Sequence, residues 1–253
     1  MSISVVFVVK NAVKQGYCFW ESLHSALPFA DEVVISEGFS DDDTLKYIRA
    51  FLERHPDIPI SVYQDKWEEK SYHGEVIAKV SQRAINQARG DWVYYLQADE
   101  IIHEDMVGHI KKIAASPDYN SASFPFYHFI REWKPCEDPA YKEAIRMIRR
   151  NKKIVLQGDA WNFYGETEPM CPASECPKPI YHFGWVFSKE NVIKDIEHAK
   201  IYENVTHYQE MMKKACSTIN EEKEAYPLTD FDDFPEISKR FLGLPSYPLP
   251  EVL

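Results

Sequence analysis

The chain has 253 residues, a length that suits one large α/β domain with a full hydrophobic core. A composition that is 45% hydrophobic, without repeats or low-complexity segments, excludes a disordered or solenoid protein. The net charge of −11 opposes binding to nucleic acid. No apolar run approaches the roughly 20 residues of a membrane span. We therefore expect a cytoplasmic protein, with peripheral attachment to a membrane left open.

The first part of the chain alternates the patterns of buried strands and amphipathic helices. Segment 3–9 is a continuous apolar, β-branched run, as in strands that are covered on both faces. The helical segments carry apolar residues on one face only. In chain order we predict strands at 3–9, 32–35, 59–62 and 92–96, with helices at 19–30, from Asp41 or Asp42 to 54, and at 75–88, the last closed by Gly90.

This alternation predicts an α/β fold with a parallel, doubly wound sheet flanked by helices. Such sheets bind ligands beyond the carboxyl ends of their strands. Four loops lie at those ends, and they supply most of the candidate ligand-binding residues: Lys10 and Asn11, Glu37 and Asp42 in the loop 36–43, Asp65 in the loop 65–74, and Gln97 in the segment 97–100.

The second part of the chain is less regular. Strand patterns occur at 121–129, 144–148, 153–156 and 180–183, and a loop-rich stretch occupies 159–179. Residues 189–224 have a charged helical pattern, and 226–253 is rich in proline. We predict one catalytic domain over 1–187 and a helical, proline-rich extension over 188–253 that packs on the same domain.

The apolar strand at 92–96 ends abruptly in Gln97-Ala98-Asp99-Glu100. Two adjacent carboxylates at the ligand edge suit a divalent cation such as Mn²⁺ or Mg²⁺ that bridges to a diphosphate. His182, between aromatic residues, can add a neutral imidazole ligand. The alternatives are a polar strand end before a helix, and a structural histidine within the core.

Three further charged residues are candidates for the site. Arg146 interrupts an apolar stretch and can pair with a diphosphate. Asp159, next to Trp161, can act as a base toward an acceptor hydroxyl, and Glu166 is the second candidate for that role. A turn aspartate beside a hydrophobic cluster is the alternative for Asp159. The carboxylates of the loop 36–43 can bind a base or ribose, or simply cap a helix.

The ordered set of segments resembles family 2 glycosyltransferases of the GT-A fold, over about residues 3 to 187. The resemblance rests on a strand-acid-Gly-Ser-x-Asp-x-Thr-like loop at 31–44, on Gly90 to Glu100 as the strand with the Asp-x-Asp motif, and on His182-Phe183-Gly184-Trp185. The closest similarity is to a bacterial subgroup with a Gln-Ala-Asp-Glu version of that motif. It implies a mostly parallel GT-A sheet with a helical C-terminal extension.

The resemblance also implies roles for individual residues. Glu37 stands where the family has an aspartate that contacts the base, and Asp42 matches the second acid of that loop. Asp99 matches the metal-binding last acid of Asp-x-Asp, and His182 matches a late histidine of the metal shell. Gln97 replaces the first acid, which implies either weaker metal binding or compensation by Glu100.

The function that follows is metal-assisted transfer of a sugar from a nucleotide-sugar donor to an acceptor hydroxyl, inverting by direct displacement. The acceptor would be a glycan, a lipid-linked molecule or a small molecule. One alternative is a degenerate GT-A domain that binds nucleotide or glycan without catalysis. Another is a nucleotidyltransferase, but that class requires a glycine-rich, basic loop after the first strand, and here no glycine occurs before Gly16.

Overall fold

A computed structural model describes residues 1–67, 75–130, 134–135, 139, 141–150 and 152–185 of the chain. The predicted extension over 188–253 lies outside these residues. The same is true of residues 68–74 in the loop 65–74 and of most of residues 131–140. The described residues form one large mixed sheet with helices against it, and a separate two-stranded hairpin. The prediction of an α/β fold with a mostly parallel central sheet is confirmed.

One half of the sheet is parallel and doubly wound. Strands β1 (Ile3–Val9), β2 (Glu32–Glu37), β3 (Ile60–Gln64) and β4 (Trp92–Gln97) lie in the order β3-β2-β1-β4, with every pair parallel. Their connections contain α1 (Ala12–Gln15), α2 (Phe19–Ala26), α3 (Thr44–Arg54) and α4 (Glu75–Ile85). The carboxyl ends of the four strands therefore meet at one edge.

The other half of the sheet mixes strand directions. Beyond β4 come β8 (Glu143–Arg149), β6 (Ser121–Ile130), β12 (Ile180–Trp185) and β5 (Glu100–Ile102), while α5 (Met106–Ala115) connects β5 to β6. Strand β12 runs antiparallel to β5 and parallel to β6. Short strands β7 (Lys134–Pro135) and β11 (Met170–Cys171) pair with β6, and β9 (Ile154–Gln157) with β10 (Asn162–Gly165) forms the hairpin.

The core lies on both faces of the sheet because side chains alternate along each strand. Along β1, Val5, Phe7 and Val9 pack on one face, whereas Val6 and Val8 pack on the other. Both sets are buried, which is why the segment is apolar at every position from Val5 to Val9. None of the described helices is long and apolar enough to cross a bilayer.

Two local predictions differ from the structure. Helix α4 ends at Ile85, three residues before the predicted end, and Gly90 does not close it. The backbone N–H of Gly90 instead donates to Ser4 Oγ at 2.7 Å, where a Cβ would collide with that oxygen. The glycine is required by close approach of two strands, which single-sequence patterns cannot distinguish from a helix end. The loop-rich stretch 159–179 also contains β10 and β11.

Candidate functional site

Asp99 and His182 meet at the carboxyl end of β4 although 82 positions separate them in the chain. The antiparallel pairing of β12 with β5 places His182 opposite Glu100, and the N–H of Phe183 donates to the carbonyl of Asp99 at 2.7 Å. The side chains then approach, with His182 Nε2 3.5 Å from Asp99 Oδ2. The backbone register of two distant strands thus creates this pair.

Gly184 leaves room for the pair. A Cβ at this position would lie 2.8 Å from His182 Nε2 and collide with Asp99 Oδ2. Real Cβ atoms do not approach side chains so closely, so any other residue at position 184 would displace one of the two groups. The segment His182-Phe183-Gly184-Trp185 therefore requires a glycine at position 184, because the site has no room for a Cβ there.

His128 supports the imidazole of His182 from the opposite side. Its Nδ1 lies 3.0 Å from His182 Nδ1, and both rings are almost fully buried. Burial and the neighbouring His182 lower the pKa of His128 to about 2, so this ring is neutral. When His182 donates from Nδ1, its Nε2 is left with a lone pair that faces Asp99, as a metal ligand requires.

The Asp99–His182 pair fits a divalent cation. Two ligands that each lie about 2.1 Å from one ion are separated by about 3 to 3.5 Å, close to the observed spacing. One carboxylate and one imidazole are donors that Mn²⁺ accepts. Among the described residues, no group of three or more histidine, cysteine, aspartate or glutamate side chains is arranged to hold a metal ion. Within the part of the chain that the structure describes, the remaining coordination positions are therefore left to water or a diphosphate.

Glu100 and Arg146 pair with each other inside the sheet. Glu100 Oε1 accepts from Arg146 Nε at 3.0 Å and Nη2 at 2.7 Å, and neither residue is exposed to solvent. Arg146 lies between the rings of Phe126 and Tyr95, at 4.9 and 5.8 Å from their centroids. This geometry contradicts two predictions: Glu100 does not face the cation position, and Arg146 is not available to a diphosphate. In the sequence, Arg146 stands among apolar residues and Glu100 follows an apolar strand. These patterns do not show that the two charges neutralise each other.

The turn between β9 and β10, residues 158–161, lies beside the end of β4. Gln97 Nε2 donates to the carbonyl of Ala160 at 3.4 Å, and Arg146 Nη1 donates to the carbonyl of Trp161 at 2.7 Å. Asp159 belongs to this turn and is half-buried. The structure thus brings Asp159 and Gln97 to the same end of the sheet as Asp99.

Tyr141 connects the turn to the two histidines. Its ring lies 5.4 Å from that of Trp161 and 4.5 Å from that of His128. Burial raises the pKa of Tyr141, and the nearby carboxylates, among them Asp99 and Asp159, raise it further. The hydroxyl therefore remains protonated and can act as a hydrogen-bond donor.

Glu166 lies at the other end of the hairpin. It follows Gly165, which pairs with Ile154, and about 13 Å of strand separates it from the turn that contains Asp159. Its side chain is exposed, and its backbone N–H donates to Lys153. The structure does not bring Glu166 together with Asp99, which contradicts its prediction as a second candidate base.

The acidic loop after β2 is organised around buried Glu37. The carboxylate of Glu37 accepts from the N–H groups of Ser40 at 2.6 Å and Phe39 at 3.2 Å, and from Gln64 Nε2 at 2.8 Å. Glu37 therefore supports the loop from beneath, and this disfavours the predicted direct contact with a base. Asn11 ties the loop to β1, because Asn11 N donates to Ser40 Oγ at 2.8 Å and Asn11 Oδ1 accepts from Asp41 at 2.9 Å.

Three other predicted ligand residues lie in this loop or beside it. Asp42 accepts from the N–H groups of Lys14 at 2.8 Å and Thr44 at 2.9 Å, so it joins the starts of two helices. Asp65 accepts from Arg83 Nε at 2.6 Å. Lys10 lies over the indole of Trp67, 5.7 Å from the ring centroid. Lys10 follows β1 and Asp65 follows β3, the two strands on either side of β2, so both lie at the carboxyl edge of the parallel half.

The model of glycosyl transferase family 2 matches residues 4–170. The chain belongs to this family. The glycosyltransferase SunS of Bacillus subtilis (strain 168), derived from prophage SPbeta, is 23% identical over 197 residues, which are 76% of this chain and 41% of SunS. The SunS of Bacillus phage SPbeta matches with the same figures. The chain thus spans about two fifths of the length of these curated relatives.

Solved structures confirm the expected GT-A fold of this family 2 domain. S. aureus TarS, residues 1–349 in complex with UDP-GlcNAc, superimposes with a TM-score of 0.50 at 12% identity, covering 96% of this chain and 78% of that one.

Three residues near the Asp99–His182 pair were not predicted as site residues from the sequence, namely His128, Tyr141 and Gly184. Tyr127-His128-Phe129 and Tyr181-His182-Phe183 share an aromatic-His-aromatic pattern, and the two segments pair in register, with His182 beside His128.

Proposed function

We propose that this chain transfers a sugar from a nucleotide-sugar donor to an acceptor hydroxyl. The observation that carries the proposal is the pair Asp99–His182, 3.5 Å apart at the carboxyl end of β4 in a family 2 domain. The acidic loop after β2 lies at the same edge. This edge is where doubly wound sheets bind nucleotides.

Asp99 and His182 would hold a divalent cation, Mn²⁺ or Mg²⁺. Such an ion supplies positive charge that neutralises the diphosphate as the bond to the sugar breaks. Asp99 provides a charged oxygen and His182 a neutral nitrogen, while His128 fixes the orientation of the His182 ring. With one carboxylate in the pair, the site retains a net positive charge toward a diphosphate.

Asp159 is the proposed general base. It lies in the turn beside β4, near enough to Tyr141 to raise the pKa of that hydroxyl together with Asp99. A carboxylate here can take the proton of an acceptor hydroxyl as the hydroxyl attacks the sugar from the side opposite the diphosphate. Attack from that side inverts the anomeric carbon. The half-buried ring of Trp161 offers a flat apolar face for the acceptor. The acceptor is a glycan, a lipid-linked molecule or a small molecule that presents a hydroxyl.

A thermal-shift screen of UDP, GDP, CDP and dTDP, each with and without Mn²⁺, tests donor recognition. We expect one nucleotide to raise the melting temperature only with the metal. UDP is the first choice, because the TarS structure contains UDP-GlcNAc. The corresponding nucleotide sugar should then release its diphosphate in the presence of protein and Mn²⁺. Metal-independent binding of every nucleotide would contradict the proposal.

Two variants separate catalysis from binding. Asp159→Asn should bind the donor normally but lose about 10²- to 10⁴-fold in turnover, the usual contribution of a general base. Asp99→Asn should lose metal-dependent binding itself. A degenerate domain that only binds nucleotide, which the replacement of the first motif acid by Gln97 favours, would show metal-dependent stabilisation of the wild type without any release of diphosphate.

A further inference from the structure

The turn 158–161 is held in a conformation that it would not adopt alone. Gly158 and Ala160 both have left-handed backbones, with φ of 59° and 63°. Glycine accepts this region freely, whereas the Cβ of an alanine makes it unfavourable. Ala160 is also fully buried, in an apolar cluster that includes residues of β4 and α4. The turn therefore depends on contacts from outside the hairpin.

Two side chains from the central sheet provide those contacts. Gln97 Nε2 donates to the carbonyl of Ala160 at 3.4 Å, and Arg146 Nη1 donates to the carbonyl of Trp161 at 2.7 Å. Both donors are fixed themselves. Arg146 is paired with buried Glu100, and the side chain of Gln97 also hydrogen-bonds the buried Tyr95 hydroxyl. Asp159 directly precedes the first of the two bonded carbonyls.

The contact at Ala160 requires an amide at position 97. An ionised carboxylate has only acceptor oxygens, and it would face the carbonyl oxygen of Ala160 with like partial charges. The aspartate that the family carries here is therefore incompatible with this bond. The glutamine side chain is long enough to reach the carbonyl of Ala160, and its amide supplies the N–H donor. The loss of an acid from the metal motif coincides with the gain of a donor to the turn.

We propose that Gln97 is a positioning residue that holds Asp159 in place through the carbonyl of Ala160. In this chain the residue at the first position of the motif, Gln97, orients the base that acts on the acceptor. Asp99 is the residue of the motif that binds the metal. The inference rests on the proposed function, because it assigns Gln97 to the orientation of the proposed base. It makes Gln97 important for turnover and unimportant for donor binding.

Gln97→Glu is the test variant, since it retains size and removes only the amide donor. Gln87→Glu, at an exposed position after α4, is the matched control for the added charge. With the nucleotide sugar from the screen and water as acceptor, we expect Gln97→Glu to lower kcat about 10- to 100-fold, as displaced catalytic groups do. The KM for the donor and the Mn²⁺ concentration at half-maximal rate should not increase. Gln87→Glu should match the wild type.

A double-mutant cycle shows whether Gln97 acts through Asp159. If it does, Gln97→Glu should lower kcat less than twofold in a chain that already carries Asp159→Asn. Equal effects of Gln97→Glu in both backgrounds, or a wild-type kcat in the single variant, would overturn the inference.

Hydrogen exchange decides the inference independently of activity. In Gln97→Glu, amides of the segment 157–162 should exchange at least about threefold faster than in the wild type, while those of β1 and β4 stay unchanged. Unchanged exchange in 157–162 would overturn the inference even if the enzyme is active. A wild type that releases no diphosphate would instead refute the proposed function, and the exchange data would still report whether Gln97 holds the turn.

Discussion

The buried pair of Glu100 and Arg146 gives a quantitative prediction. Arg146→Met leaves the Glu100 carboxylate without its cation, in a place where the N–H of Gln97, at 3.3 Å, is its other hydrogen-bond donor among the described contacts. Breaking a buried ion pair by removing one partner costs about 3–5 kcal/mol. We expect Arg146→Met to lower the free energy of unfolding by an amount in this range, a large part of the stability of a typical domain.

Glu100→Gln should cost less than Arg146→Met. The guanidinium keeps the carbonyls of Trp161 at 2.7 Å and Ile145 at 3.2 Å, and it keeps the aromatic rings around it. Glutamine is also nearly isosteric with glutamate, so packing is unchanged. The double variant Glu100→Leu with Arg146→Met should recover stability relative to Arg146→Met alone, because no charge is then left buried.

Urea unfolding followed by tryptophan fluorescence measures these differences. Mn²⁺ titration of the folded Glu100→Gln protein tests whether Glu100 takes part in metal binding. The structure pairs Glu100 with Arg146, away from the cation position. We expect its metal affinity to stay within about threefold of the wild type, whereas Asp99→Asn loses binding. A cost below about 1 kcal/mol for Arg146→Met, or loss of metal binding in Glu100→Gln, would refute the reasoning.

Three further predictions concern single sites. Gly184→Ala should reduce Mn²⁺ affinity at least about tenfold in a metal titration, because its Cβ displaces Asp99 or His182. Phe39→Gly should raise the melting temperature, since Phe39 has a φ of 53° and is 56% exposed, so relief of strain outweighs lost packing. Burial, together with Arg54, lowers the pKa of His55, so the unfolded chain binds more protons between the folded pKa and 6.5. Stability should fall as pH drops below 6.5, and His55→Asn should reduce the slope in unfolding measured from pH 7 to 5.

Local patterns were sufficient for the parallel half of the sheet. The strand at Ile3–Val9 has the predicted bounds, and its neighbours extend the predictions by one to two residues. Strands buried on both faces have continuous apolar runs that contrast sharply with the helices between them. The carboxyl-edge rule then directed attention to the correct loops without any knowledge of side-chain contacts.

Long-range side-chain pairing was beyond these patterns. The approach of His182 to Asp99 was anticipated, but through family resemblance rather than through strand register. Glu100 and Arg146 were predicted as ligand residues, but both side chains are fully buried and form an ion pair with each other. Position along a strand predicts which edge a residue reaches, whereas its partner depends on the register of strands far apart in sequence.

Direct measurement of Mn²⁺ binding tests the central claim about Asp99 and His182. Electron paramagnetic resonance detects free Mn²⁺, so its signal in a titration with protein and the screened nucleoside diphosphate reports the number of bound ions. We expect one ion per chain in the wild type and at least about a tenfold loss of affinity in both Asp99→Asn and His182→Ala. Unchanged Mn²⁺ binding in either variant would contradict the assignment of the cation to this pair.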